Sequence, residues 1–131
     1  MSASLTHAQA YTFLKWGTGP SPAEWNFNNP FVIAVDSSCD VYVADTTAPN
    51  CRIEKFDRNG NFITQWSPLG SANRLFSAPY GVAVDFLGNV YVVDTTNERV
   101  QKFDSNGNYI TQWGAGGSAD GLFNGPHGVL L

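Results

Sequence analysis

The residues of this chain with chemistry to offer are two histidines, two cysteines and a set of repeated aspartates. Zinc needs three or four convergent nitrogen, sulfur or oxygen ligands. His7 stands in the N-terminal stretch and His127 near the other end, so the pair does not by itself make a site. Asp36 and Asp45 invite a general acid/base or calcium reading, but each recurs 49 residues later, as Asp85 and Asp94. A catalytic pair should occur once, where two environments differ. A carboxylate recurring at each hairpin end is expected to satisfy backbone donors as an Asx turn or to pair with a neighbour. Asp94 with Asn97 and Arg99, mirrored by Asp45, Asn50 and Arg52, reads the same way. Cys39 and Cys51 flank one five-residue strand, which separates them by roughly 15 Å, beyond disulfide reach. Free thiols or an intermolecular bridge are the readings left. Nucleophile-elbow, phosphate-loop, Cys-x-x-Cys and His-Glu-x-x-His motifs are all missing, which lowers the expectation of an enzyme.

Aromatic residues also recur. Trp16, Trp66 and Trp113 stand at equivalent places, with Phe27, Phe76 and Phe123 following each. A sugar-binding platform is one reading. Packing between repeated units is the stronger one, because each ring adds a large apolar area to a core. Trp25, replaced by Leu75 and Leu122 in the other units, is the exception and is expected at the surface.

The elements that must position these residues are set by an internal repeat. Pro30-Phe31-Val32-Ile33-Ala34-Val35-Asp36 matches Pro79-Tyr80-Gly81-Val82-Ala83-Val84-Asp85, and Val41-Tyr42-Val43-Ala44-Asp45 matches Val90-Tyr91-Val92-Val93-Asp94. After the extra Ala48-Pro49, Lys55-Phe56-Asp57 through Trp66 matches Lys102-Phe103-Asp104 through Trp113 at an offset of 47. Each unit holds four short β-rich runs separated by turn chemistry such as Asn106-Gly107, whose residues tolerate the positive φ of tight hairpins. The first two runs are nearly continuous apolar stretches, which predicts cover on both faces. The last two alternate, which predicts one wet face and a place nearer the outside. Four strands per period near 45 residues predict radially arranged blades rather than a solenoid or sandwich. The fold class is therefore all-β, with β-propeller blades of four antiparallel strands in an incomplete propeller.

Composition agrees and sets limits. With 43% apolar residues, 14% aromatic, 14% charged and 13 glycines, the 131-residue chain suits many short strands and tight turns. A formal charge of −4 with seven scattered basic residues opposes a phosphate-tracking surface, so no nucleic-acid partner is expected. No apolar run reaches the ~20 residues of a spanning helix, and membrane insertion is not expected. The N-terminus carries Ala8-x-Ala10, the pattern that ends a secretory signal, without an apolar stretch before it. A flexible leader over 1–10 and the remnant of a signal are both open readings, the second carrying a weaker expectation of an extracellular or cell-surface place.

Pro79-x-Gly81-Val82-Ala83-Val84-Asp85, Gly88-Asn89-Val90-Tyr91-Val92-x-Asp94, Asn97-x-Arg99-Val100-Gln101-Lys102-Phe103 and Gly107 resemble the NHL repeat, and the resemblance covers nearly all residues after Tyr11. It implies a propeller whose parent ring is most often six-bladed. On that frame, 11–131 divides into a last strand of a preceding blade (11–16), two blades (30–67 and 79–114) and a first strand of a following blade (126–131). A fragment of a longer propeller, copies assembled about an axis, and an open head-to-tail chain are the competing explanations of such a count.

Loops 17–29, 46–51, 67–78, 95–98 and 115–125 should share one face, with the equivalent residues Phe31, Tyr80 and His127 near the channel mouth and Trp25 and Arg74 on the binding face. NHL-like propeller enzymes such as amidating lyases place histidines near the axis around a metal, which makes His127 the sharpest candidate ligand, yet its counterparts here are Phe31 and Tyr80. The leading expectation is a non-catalytic scaffold that binds a protein partner or other copies of itself, with no catalytic residue, metal or cofactor. A fragment of a secreted lyase- or lactonase-like enzyme and a carbohydrate-binding propeller are the alternatives.

Overall fold

The computed structural model describes residues 27–66 and 70–131. The leader, His7, the strand expected at 11–16 with Trp16, and Trp25 lie outside the described residues. Within them, β1 (Pro30–Val35), β2 (Val41–Asp45), β3 (Arg52–Phe56) and β4 (Phe62–Trp66) form one sheet. The second contains β5 (Pro79–Val84), β6 (Val90–Asp94), β7 (Arg99–Phe103) and β8 (Tyr109–Trp113). Both sheets are antiparallel meanders in simple chain order. Their registers match residue for residue: Pro30 faces Asp45 as Pro79 faces Asp94, and both sheets shift register just after that proline and again at Phe56 and Phe103.

Turn chemistry fixes those registers. Asp85 Oδ1 accepts the backbone N–H groups of Leu87 and Asn89, and Asp36 Oδ1 accepts those of Ser38 and Asp40. The outer hairpins repeat the device with Asp57 and Asp104. Each turn then needs a residue at positive φ. Gly88 supplies it at 83°, while Cys39 holds the equivalent place at 65°. The aspartates read from sequence as Asx residues thus close the turns that set strand pairing.

The core lies between the two sheets. Tyr42, Ala44 and Ile53 from the first meet Val82, Val90, Val92 and Phe103 from the second, with Phe76 of the connecting loop buried among them. Trp66 projects across the gap, its ring centroid 6.2 Å from that of Phe103 and 6.1 Å from that of Tyr42. A side chain at Gly107 would collide with it, since a Cβ there would lie 2.8 Å from Trp66 Cδ2. Packing between blades is therefore the structural use of Trp66 and Phe76.

The burial gradient differs from the expectation in three places. β1 is exposed rather than covered on both faces: Val32 and Ala34 pack against the core, while Phe31, Ile33 and Val35 stay more than half exposed. β3 and β7 are buried, not half wet; on the polar side of β7 the connecting loop folds down, with Ser77 N–H donating to Asp94 and Arg99 and Gln101 donating to the loop carbonyls. The segment 126–131 forms no ladder among the described residues, as no described strand stands beside it as the second strand stands beside β1 and β5. It runs close to β5 instead, with the His127 carbonyl 3.0 Å from where a Cβ on Gly81 would be.

Candidate functional site

β1 and β5 lie side by side at the inner ends of the sheets, and this brings Phe31, Tyr80 and His127 together. Phe31 meets Tyr80 edge to face at 4.8 Å between centroids, and Tyr80 stacks on His127 at 5.4 Å with the rings 20° apart. The three form a continuous aromatic ladder. His127 Nδ1 faces the Gly125 carbonyl. A carbonyl only accepts, so Nδ1 is the donor in this contact. The segment is fixed further by Thr95, whose hydroxyl donates to the Pro126 carbonyl at 2.6 Å.

Beneath the ladder a cleft of about 380 Å³ runs between Val32–Val35, Val82–Val84 and Val129–Leu131. Every side chain lining it is aliphatic, so none of those side chains can move a proton or bind an ion. Among the described residues no three His, Cys, Asp or Glu side chains converge on a common point. Cys39 is exposed and Cys51 buried, and both are free thiols.

The carboxylates are engaged in holding loops. Asp94 is fully buried and accepts from Ser77 N–H at 2.7 Å, Asn97 Nδ2 at 2.8 Å, Arg99 Nε at 2.8 Å and Gln101 Nε2 at 3.2 Å. Arg99 also donates to Gln112 Oε1 and to the Ala72 and Leu75 carbonyls. Arg74, expected on the binding face, is exposed at a φ of 73°, and its backbone N–H donates to Gln101 Oε1. In the first sheet Asp45 accepts from the backbone of Asn28 and Asn29 and from Asn50 Nδ2.

The hydrogen bonds also shape the titration of the turns. Desolvation opposes ionisation of Asp85, but bonds from Asn89, Tyr91 and Leu87 outweigh it and its pKa is lowered. Asp57 and Asp104 are lowered chiefly by the side chains of Asn61 and Asn108. Lys55 pairs with Asp40 at 3.0 Å and lies over the Tyr42 ring; desolvation works against its charge, yet bonds with Tyr42 and Asp40 leave its pKa raised.

One functional contrast escaped the sequence reading: Glu54, fully buried, stands where the second sheet has Gln101. The repeat alignment holds the signal, a change of charge within otherwise matching strands, but alternation predicts a wet side there.

Two meanders packed face to face with a shared register are blades of a propeller that is not closed. Residues 76–103 match the NHL repeat. It is 31% identical over 86 residues to NHL repeat-containing protein 3 of Mus musculus, a match covering 65% of this chain and 24% of that protein. Among solved structures it is similar to a putative exported protein of Bacteroides fragilis, with a TM-score of 0.56 at 16% identity, covering 66% of this chain and 24% of that one. A regucalcin of Agrobacterium tumefaciens, described as calcium-binding, aligns at a TM-score of 0.46 and 20% identity over 66% of this chain and 30% of its own. The chain thus spans about a quarter of the length of both of these relatives, the mouse protein and the Bacteroides fragilis one.

Proposed function

We propose that this chain is a non-catalytic scaffold whose blades bind protein, either a partner or further copies of the same chain, through the aromatic ladder and the open blade faces. One observation carries the reading: the repeated aspartates are used in closing turns and holding loops, while large apolar groups stay open. Phe31 is 60% exposed, Ile33 61% and Trp113 44%. Trp113 is the counterpart of Trp66, which in the first sheet is the ring that enters the next blade. Its face therefore has the shape of a blade-docking surface, and apolar faces of this kind favour association.

Light scattering across a concentration series tests the self-association limb. The expected result is a mass that rises with concentration and falls back when Trp113→Glu puts a charge on the open face. A strict monomer at high concentration removes self-association, and the partner-binding limb then rests on the ladder.

A further inference from the structure

β3 and β7 occupy equivalent places and share register: Glu54 faces Val43 and Gln65 as Gln101 faces Val92 and Gln112. In the second sheet the Gln101 amide works at both ends. Its oxygen accepts Arg74 N–H at 3.0 Å, and its nitrogen donates to the Leu75 carbonyl at 2.8 Å and to Asp94 Oδ2 at 3.2 Å. Arg99 Nε is then free to close on Asp94 at 2.8 Å. A carboxylate in the same place can only accept. Glu54 so placed faces the equally buried Asp45, and Arg52 sits differently from Arg99: its Nη2 is 2.6 Å from Glu54 Oε1, while its Nε is 4.0 Å from Asp45 Oδ2. Despite that close ion pair, neither Glu54 oxygen receives a well-directed hydrogen bond among the described residues. A fully buried carboxylate left in this state is costly to keep ionised.

We propose that Glu54 is a proton-operated latch of the first blade. Protonated, it becomes a near-isostere of Gln101, donates to Asp45 as Gln101 donates to Asp94, and lets Arg52 move toward Asp45. Ionised, it repels Asp45 and draws the guanidinium to itself. Asp45 is the group that holds the backbone of Asn28 and Asn29 at the entry to β1, so the proton on Glu54 tightens or loosens that entry.

The charged groups facing Glu54 among the described residues are Asp45 from β2 and Arg52 from its own strand; β4 offers the neutral Gln65, and the Asn28, Asn29 and Asn50 groups bound to Asp45 are uncharged. Burial pushes the Glu54 carboxyl up from 4.5 to about 7, with Arg52 opposing and Asp45 adding to the rise. The folded state therefore binds this proton more tightly than the unfolded chain. The stability it brings is full below the unfolded value and is lost as pH rises through about 7.

The test is urea unfolding of the full chain between pH 5 and pH 8, followed by tryptophan fluorescence, beside Glu54→Gln. The folding constant of the unmodified chain should fall on the order of 50- to 100-fold across that window from this group. In Glu54→Gln that share of the pH dependence should vanish. A carbon-13 titration of the Glu54 carboxyl in the unmodified chain stands by itself if the variant does not fold, and its midpoint should lie well above the ordinary glutamate range. The latch is overturned by a carboxyl midpoint below pH 5, or by a Glu54→Gln chain that keeps the full pH dependence.

Discussion

Arg99→Ala removes the side chain that ties β7 to both Asp94 and the connecting loop. Four hydrogen bonds disappear: one to Asp94 Oδ2, one to Gln112 Oε1 and two to the backbone carbonyls of Ala72 and Leu75. Asp94 is left buried with its charge and three remaining donors, from Ser77, Asn97 and Gln101. Breaking a buried ion pair by removing one partner costs about 3–5 kcal/mol. Three surviving donors place this case at the lower end, about 3 kcal/mol. In urea, with a slope of about 1.5 kcal/mol per molar, the midpoint should fall by about 2 M. Amide exchange supplies the local readout: the N–H groups of Arg74 and Ser77, which bond to Gln101 and Asp94, should lose protection before the strands of the second sheet do. A loss under about 1 kcal/mol with both amides still protected would refute the claim that this guanidinium holds the loop to the sheet.

Gly107→Ala adds a Cβ 2.8 Å from Trp66 Cδ2 at a φ of 84°, so it combines backbone strain with a clash across the blade interface. A loss of about 2 kcal/mol is expected, together with a shift in Trp66 fluorescence, and an unchanged midpoint would show that the ring does not cross there. Asp104 is held below its ordinary value mainly by the Asn108 side chain and backbone, so the hairpin stability it supplies is present above the unfolded value of 3.8 and lost as pH falls through the lower folded one. Amides of Asn106 and Asn108 should therefore exchange faster only at strongly acid pH, which proton NMR follows; loss of protection already at pH 5 would contradict the assignment.

What the sequence made legible follows from what a repeat can encode. Strand pairing was readable because equal spacing between matching runs fixes register, and the aspartates were readable as turn residues because each stands at the same place before a turn. The polar side of β7 was not. Alternation says that the two sides of a strand differ, but not what covers the polar one, and Arg99 and Gln101 are buried by a loop that their own hydrogen bonds hold down. The openness of β1 was hidden for a similar reason: Ile33 and Val35 match Val82 and Val84 in sequence, yet only the latter pair has a sheet packed against it. Burial is a property of neighbours, and periodicity within one blade carries little information about them. Of the candidate site, the equivalence of Phe31, Tyr80 and His127 was readable but their ring contacts were not, and the Glu54 contrast required knowing that its side is dry.

The blades also supply an internal comparison that bears on function. Positions that hold the fold keep their chemistry between units: Asp36 and Asp85 close turns, Asp45 and Asp94 hold entry loops, and Tyr42 and Tyr91 each hydroxyl-bond the turn aspartate of their own sheet. The ladder position does not, passing from phenyl to phenol to imidazole while the rings stay in contact. Ring-to-ring contact needs only a flat face, so the fold tolerates all three, and what varies is the polar chemistry each ring carries: none, a hydroxyl, and ring nitrogens. A surface that holds its geometry while grading its polarity can discriminate among partners, since matching hydrogen-bond chemistry at a fixed position decides specificity more sharply than apolar area does. That combination, rather than any one residue, is the physical reason to look for recognition at the inner ends of β1 and β5.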